Sequence, residues 1–247
     1  MSAVGVAMAA AVGLLLGALG GGGSILMVPL LVYAMGVPTR EAVVISLPVV
    51  GLTSAAAAVG HWRAGHVQVR AAALFGVLAM LGAFLGGRVA LLVGDGVQLP
   101  LLAFVMVAAG LSMLMTRSER TNPERVQVPS GATAAAAIGI GALTGLVGVG
   151  GGFLFVPALV LLAHVPMHAA VGTSLVLIAM NAVAALTAYW GAVPVRWGFV
   201  LGFAGVASVG AVAGVGVARR LPASRLRRGF GFLLLGVAAF VLIDVLV

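Results

Sequence analysis

The 247-residue chain contains no cysteine and no lysine, and its only acids are Glu41, Asp95, Glu119, Glu124 and Asp244. The absence of cysteine excludes disulfides, thiol catalysis and thiolate-bound metals. The few acids fall at the edges of apolar runs and no Ser-His-Asp set is readable, so an enzyme is not expected. No G-x-x-x-x-G-K-[ST] run follows any glycine cluster, which excludes direct ATP hydrolysis by this chain. No cofactor is implied. His164 and His168, four residues apart, have no third His, Cys or acid nearby to complete a metal site.

What remains is hydrocarbon. Hydrophobic residues make up 63% of the chain and charged residues 7%, against roughly 25% charged in an ordinary soluble domain. The chain therefore reads as a multi-pass integral membrane protein, expected in the inner (plasma) membrane. Its 13 basic residues are all arginine and its net charge is +8. With no soluble domain to present a basic face, they read as anchors of cytoplasmic loops and not as a nucleic-acid surface. The N-terminal apolar run lacks a positive leader, so a cleaved signal peptide is not expected.

Glycine is abundant where a membrane helix should avoid it. In "GALTGLVGVGGGFLFVPALV" (141–160), six glycines precede Pro157, although each costs about 1 kcal/mol relative to alanine inside a helix. The stretch has a partner, "GLLLGALGGGGSILMVPLLV" (13–32), at an offset of 128 residues that pairs Pro29 with Pro157. The same offset aligns Gly17 with Gly145, Ser46 with Ser174, Thr53 with Asn181 and Trp62 with Trp190. The chain is thus a duplication: a first transmembrane repeat over 1–115, a polar cytoplasmic linker over 116–130 and a second repeat over 131–247. The apolar runs predict helices near 2–19, 24–35, 42–60, 71–93 and 98–115, then 131–148, 152–164, 170–190, 197–218 and 227–246. The first two of each repeat cannot form one spanning helix. About 33 residues at 1.5 Å per residue reach roughly 50 Å, against a hydrocarbon core of about 30 Å.

Arginine placement orients the repeats. If each glycine region makes one crossing, the arginines divide almost evenly between the two sides. If each is a hairpin, the repeats are inverted. Arg63, Arg70, Arg117, Arg120, Arg125, Arg219, Arg220, Arg225, Arg227 and Arg228 then share one side, leaving Arg40, Arg88 and Arg196 opposite. The positive-inside rule selects the second arrangement. The expected fold is an all-α polytopic membrane protein of two inverted-topology repeats. Each has a Gly-broken helical hairpin plus three transmembrane helices, with both termini outside and the "ARRLPASRLRR" loop in the cytoplasm.

Interrupted helices in inverted repeats place half-helix N-termini near the midplane, where their positive dipole ends favour anions. The second limbs are expected to begin at Ser24 and Gly152. The N–H groups of Gly22, Gly23, Ser24, Gly150, Gly151 and Gly152 are candidates to cradle an oxyanion. Ser46, Ser174 and Asn181, on repeat-related helices, are candidate neutral donors. The competing reading is that the glycines serve helix packing and the hydroxyls bond their own backbone. Arg88 is expected to snorkel to the interface. His61, Trp62, Arg63, Tyr189 and Trp190 sit at helix ends, where Trp and Tyr are expected in the interfacial belt or, alternatively, as gates of the cavity mouth.

The doubled run "GALGGGGSILMVPLLV" and "GLVGVGGGFLFVPALV", followed by "AVVISL" and "AVGTSLVLIAMNAVAA", resembles the paired signature of the sulfite exporter TauE/SafE family of permeases. The resemblance spans nearly the whole chain. The first copy departs in having Gly21 for Val149 and Ser24 for Gly152. It implies secondary transport, in the direction of export, of small sulfur-containing anions such as sulfite, organosulfonates or sulfoacetate. The alternatives are a passive small-anion channel or, from another class, a membrane scaffold or enzyme.

Overall fold

The computed structural model describes residues 3–93, 95–115, 131–147, 152–163, 165–189, 191 and 195–246. Gly150, Gly151, His164, Trp190 and the 116–130 linker lie outside the described residues. The described residues form no strand. In the first repeat the helices are α1 (Ala3–Leu19), α2 (Gly22–Pro29), α3 (Thr39–Arg63), α4 (Val69–Ala90) and α5 (Asp95–Met115). In the second they are α6 (Gly131–Val147), α7 (Gly152–Leu161), α8 (Met167–Ala188), α9 (Trp197–Arg220) and α10 (Ala223–Leu246). Six of these are long and apolar enough to cross a membrane: α3, α4, α5, α8, α9 and α10. Leu81, Leu85, Leu92, Phe104, Val209 and Phe232 stand on the outer surface. Water would penalise that surface, but lipid does not.

The local chemistry explains the boundaries. Gly20, at φ +68°, ends α1 in the left-handed region that favours glycine. α2 then starts at Gly22, two residues before the expected Ser24, so both glycines belong to its first turn. Pro29 supplies no N–H, and the helix continues from Leu30 to Ala34 as a π-helical turn. α3 and α8 follow Pro38 and Pro166, whose extended backbone cannot continue a helix. The expected "ARRLPASRLRR" loop is much shorter than anticipated. α9 runs through Arg220 and α10 resumes at Ala223, because Pro222 needs no N–H partner and its carbonyl accepts from the amides of Arg225 and Leu226.

Packing follows the duplication. α1 lies along α9, and α6 lies along α4. A Cβ added to Gly13 or Gly17 would overlap the carbonyls of Ala207 or Ala211, and one on Gly141 or Gly145 would overlap those of Ala79 or Ala83. These two sets of contacts are related by the 128-residue offset. Each pairing advances in the same direction along both chains, so α1 runs parallel to α9 and α6 parallel to α4. Small residues let these backbones touch where lipid supplies no hydrophobic drive.

The repeat mates α3 and α8 meet at the centre with the opposite sense. A Cβ on Gly51 would lie 3.0 Å from that of Ala182, whereas one on Gly172 would lie 3.1 Å from that of His61. The later residue of one helix thus meets the earlier residue of the other, so α3 and α8 are antiparallel. At the N-terminal end of α3, Arg196 bridges Glu41 at 2.9 Å. Arg40 donates to the Leu91 carbonyl, just past α4, at 3.1 Å. Arg63 ends the same 25-residue helix, about 33 Å from Glu41 along its axis.

Candidate anion site at the repeat interface

The two hairpins meet at their breaks. Gly21 lies backbone to backbone against Gly152 and Phe153, and a Cβ on Gly21 would overlap both. A Cβ on Gly152 would stand 2.9 Å from Ser24 Oγ, and one on Gly20 would stand 2.7 Å from Ser174 Oγ. The fold therefore gathers Gly20, Gly21, Ser24, Gly152 and Ser174 where α2 and α7 begin. Two positive helix ends converge there. Gly22 packs on Leu19 and Leu233, and Gly23 packs against the backbone of Leu16 and Val12 within its own hairpin. Ser24 turns both its amide (3.3 Å) and its hydroxyl (2.7 Å) onto the Gly21 carbonyl.

The candidate hydroxyls divide into two groups. Ser46 donates to Val43 O and Ser174 to Val171 O, each at 2.8 Å and each within its own helix. Thr53 Oγ1 and Ser54 Oγ are buried with no hydrogen-bond partner. Both stand within a turn of Gly51 along α3. Asn181, beside Ala182 on the opposing helix, donates from Nδ2 to Thr144 Oγ1 at 2.7 Å, and its Oδ1 is buried without a partner. Thr144 in turn donates to Gly141 O at 2.8 Å. An unmatched polar atom in an apolar interior costs about 1–3 kcal/mol, and these three all lie on the middle turns of the two central helices.

The helix-end aromatics depart from expectation. Trp62 is 56% exposed, as an interfacial residue would be. His61 and Tyr189 are each 1% exposed and turn inward to carbonyls at the ends of α1 and α6. Their neighbours on α1 and α6 are small enough to let a ring reach the backbone, which sequence position alone does not reveal. Arg88 is on the outer face with its guanidinium 5.4 Å from the Phe84 ring centre.

Residues 5–241 match the family model described as Sulfite exporter TauE/SafE. The chain belongs to the sulfite exporter TauE/SafE family. Two similar relatives are each named "Probable membrane transporter protein", from Xylella fastidiosa strains Temecula1 and 9a5c. Each is 37% identical, over 94% of this chain and 91% of the relative. The "Probable membrane transporter protein YdhB" of Bacillus subtilis is 26% identical over 67% of this chain and 69% of its own length. No solved structure matches the chain.

In this TauE/SafE member the polar side chains buried on the middle turns of α3 and α8 are hydroxyls and an amide. Among the described residues no group of three or more His, Asp or Glu could hold a metal. Such a lining can hydrogen-bond a small polar solute. Thr53 and Ser54 stand out in the sequence as polar residues within a span, whereas Thr144 was not among those read from it. The offset between Thr53 and Asn181 was the available signal, since both positions are polar in spans that are otherwise apolar.

Proposed function

We propose that this protein is a secondary transporter that moves small sulfur-containing anions out across the plasma membrane by alternating access between two inverted repeats. The observation that carries the reading is the α3 and α8 crossing. Repeat mates pass each other antiparallel there, and on their middle turns Thr53, Ser54 and Asn181 Oδ1 are buried and unmatched. Sites between inverted repeats lie near the midplane. The arginines support the same orientation, because Arg196 sits with Glu41 at the opposite end of α3 from Arg63. The substrate is held between the N-termini of α2 and α7. It is cradled by Gly22, Gly23, Ser24, Gly150, Gly151 and Gly152, with Ser46, Ser174 and Asn181 beside it. Two helix ends of roughly +0.5 charge each suit a compact anion without any cationic side chain. Sulfite, organosulfonates and sulfoacetate fit that description.

The test is a thermal-shift and calorimetric screen of the purified protein against sulfite, sulfate, thiosulfate, sulfoacetate and taurine. The proposal expects at least one anion to stabilise wild type and taurine, a zwitterion, to act more weakly. Absence of any stabilising anion, with transport-competent protein in vesicles, overturns it.

A further inference from the structure

A second group of polar residues lies away from that crossing, where α3 ends, α8 begins and α9 ends. α3 closes with Gly65 at φ +73°, the Gly65 amide donating to Trp62 O at 2.9 Å and the His66 amide to His61 O at 3.0 Å. This paired closure folds the chain back over the last turn and brings the His66 ring centre to 6.0 Å from that of His61. His168, in the first turn of α8, stands 5.7 Å from His66 on the other side. Gly172 lets the His66 carbonyl approach α8 where a Cβ would overlap it. The Gln68 amide donates to Thr173 Oγ1 at 3.0 Å, so the turn is seated firmly on α8.

The hydrogen-bond inventory leaves this cluster incomplete. His61 Nε2 donates to Gly17 O at 3.0 Å, and His168 Nε2 donates to Leu221 O at 3.1 Å. Both carbonyls accept only, so each ring carries its proton on Nε2 when neutral. His61 Nδ1 and His66 Nδ1 are buried with no partner. The charges that reach His66 are cationic: His168 from α8 and Arg219 from α9. Arg63 and Arg70 flank the turn on α3 and α4 and are exposed, while α1 contributes only the Gly17 carbonyl. Partial burial, then His168, then Arg219 push the His66 imidazole below its ordinary value. Desolvation and cationic neighbours both oppose charging here, and an anion would reverse the second. His66 and His168 are half-buried and Arg219 is exposed, so the cluster is open to a solute.

We propose that His61, His66, His168 and Arg219 form a proton-linked binding site for a small oxyanion, separate from the midplane crossing and lying at the arginine-rich end of the helices. The anion supplies the acceptors that protonated Nδ1 groups require and cancels the repulsion among the imidazoles. Binding therefore takes up protons, and affinity falls as pH rises. Its meaning as a port for arriving or departing substrate rests on the transporter reading, but its existence as a site does not.

The test is calorimetry of the full-length protein in detergent with sodium sulfate, at fixed ionic strength, in buffers of differing ionisation heat. Sulfate keeps its charge throughout the range in which histidines titrate, so any pH dependence belongs to the protein. We expect proton uptake on binding and affinity about tenfold tighter at pH 6.5 than at 7.5. His66→Gln and His168→Gln should each weaken binding about tenfold at pH 6.5 and reduce proton uptake. Arg228→Gln, on the outer face of α10, should do neither. Sulfate binding without proton uptake, uptake unchanged in both histidine variants, or no binding at any pH overturns the site. These readouts need no transport. Wild-type proton-linked binding in a protein that moves no sulfur anion would sink the transporter reading alone. Transport without proton-linked binding would sink this inference alone.

Discussion

His61 and Tyr189 stand 128 residues apart and make the same hydrogen bond. His61 Nε2 lies 3.0 Å from Gly17 O, and Tyr189 Oη donates to Gly145 O at 3.1 Å. The two carbonyls belong to the last turns of α1 and α6, where no amide further along the helix can reach them. Each repeat thus closes its first limb with a side chain from the end of its central helix. Only the chemistry differs: a phenol keeps its proton through the physiological range, whereas an imidazole does not. Tyr189→Phe should lower stability by about 1 kcal/mol, equally at pH 6 and pH 8, as read by thermal unfolding in detergent. A loss that appears at only one of these pH values would assign the bond to something other than the phenol.

The His66 shift fixes a pH trend. Its folded-state value is depressed, so below the ordinary histidine value the unfolded chain binds more protons than the native protein. Stability from this group is therefore full above about pH 6.5 and declines as pH falls from there through the folded value. Melting temperature without added anion should drop on acidification over that interval. His66→Gln should flatten the drop. A profile identical in the two proteins would remove His66 as its source.

Gly13 and its mate Gly141 have no room for a side chain, whereas nothing lies within 4 Å of a Cβ at Gly139. Gly13→Val and Gly141→Val should each cost about 1–3 kcal/mol by overpacking. Gly139→Ala should be neutral or stabilising by up to about 1 kcal/mol, since it removes a helix-interior glycine. Chemical or thermal denaturation of the three variants decides, and equal tolerance at all three positions would contradict the parallel contacts of α1 with α9 and of α6 with α4.

Ser54 and Ser46 make opposite predictions although both lie on α3. The Ser54 hydroxyl has no partner, and that of Ser46 already donates to Val43. Ser54→Ala should leave stability intact and weaken anion affinity by about 1–3 kcal/mol, or up to about a hundredfold. Ser46→Ala should weaken affinity less. Asn181→Asp should lose more than Asn181→Leu, by placing a like charge beside the anion. Calorimetry with the best ligand of the screen ranks the four, and a wild-type affinity for Asn181→Asp at high pH would move the site away from the crossing.

The cysteine-free background allows topology to be read directly. Arg63→Cys and Arg196→Cys, introduced one at a time, should label from opposite faces in intact cells, with Arg196→Cys reacting outside. Labelling of both from one face would restore the even division of arginines and a parallel arrangement of repeats.

Much of this protein was legible in one dimension. The scarcity of charge and the long apolar runs required a helical membrane protein, because in lipid each backbone group must be satisfied within its own segment or a closed barrel. The 128-residue repeat located the breaks, and Gly20 and the prolines set the helix ends to within a few residues. Contacts between distant helices could not be read this way. A glycine in a sequence does not say whether it faces a ligand or the backbone of another helix. The structure shows that a side chain at Gly23 would meet Leu16 and one at Gly21 would meet Gly152, which leaves the amides as the proposed donors. A serine does not say whether its own helix takes its proton, which separates Ser46 from Ser54. Tyr189 read as an interfacial residue from its place at a helix end, and is a buried donor to Gly145 only because α6 packs against that end. Periodicity and composition act along one segment and survive in the sequence. Which polar atoms remain unmatched depends on where every other helix comes to rest, and that is a property of the assembled fold.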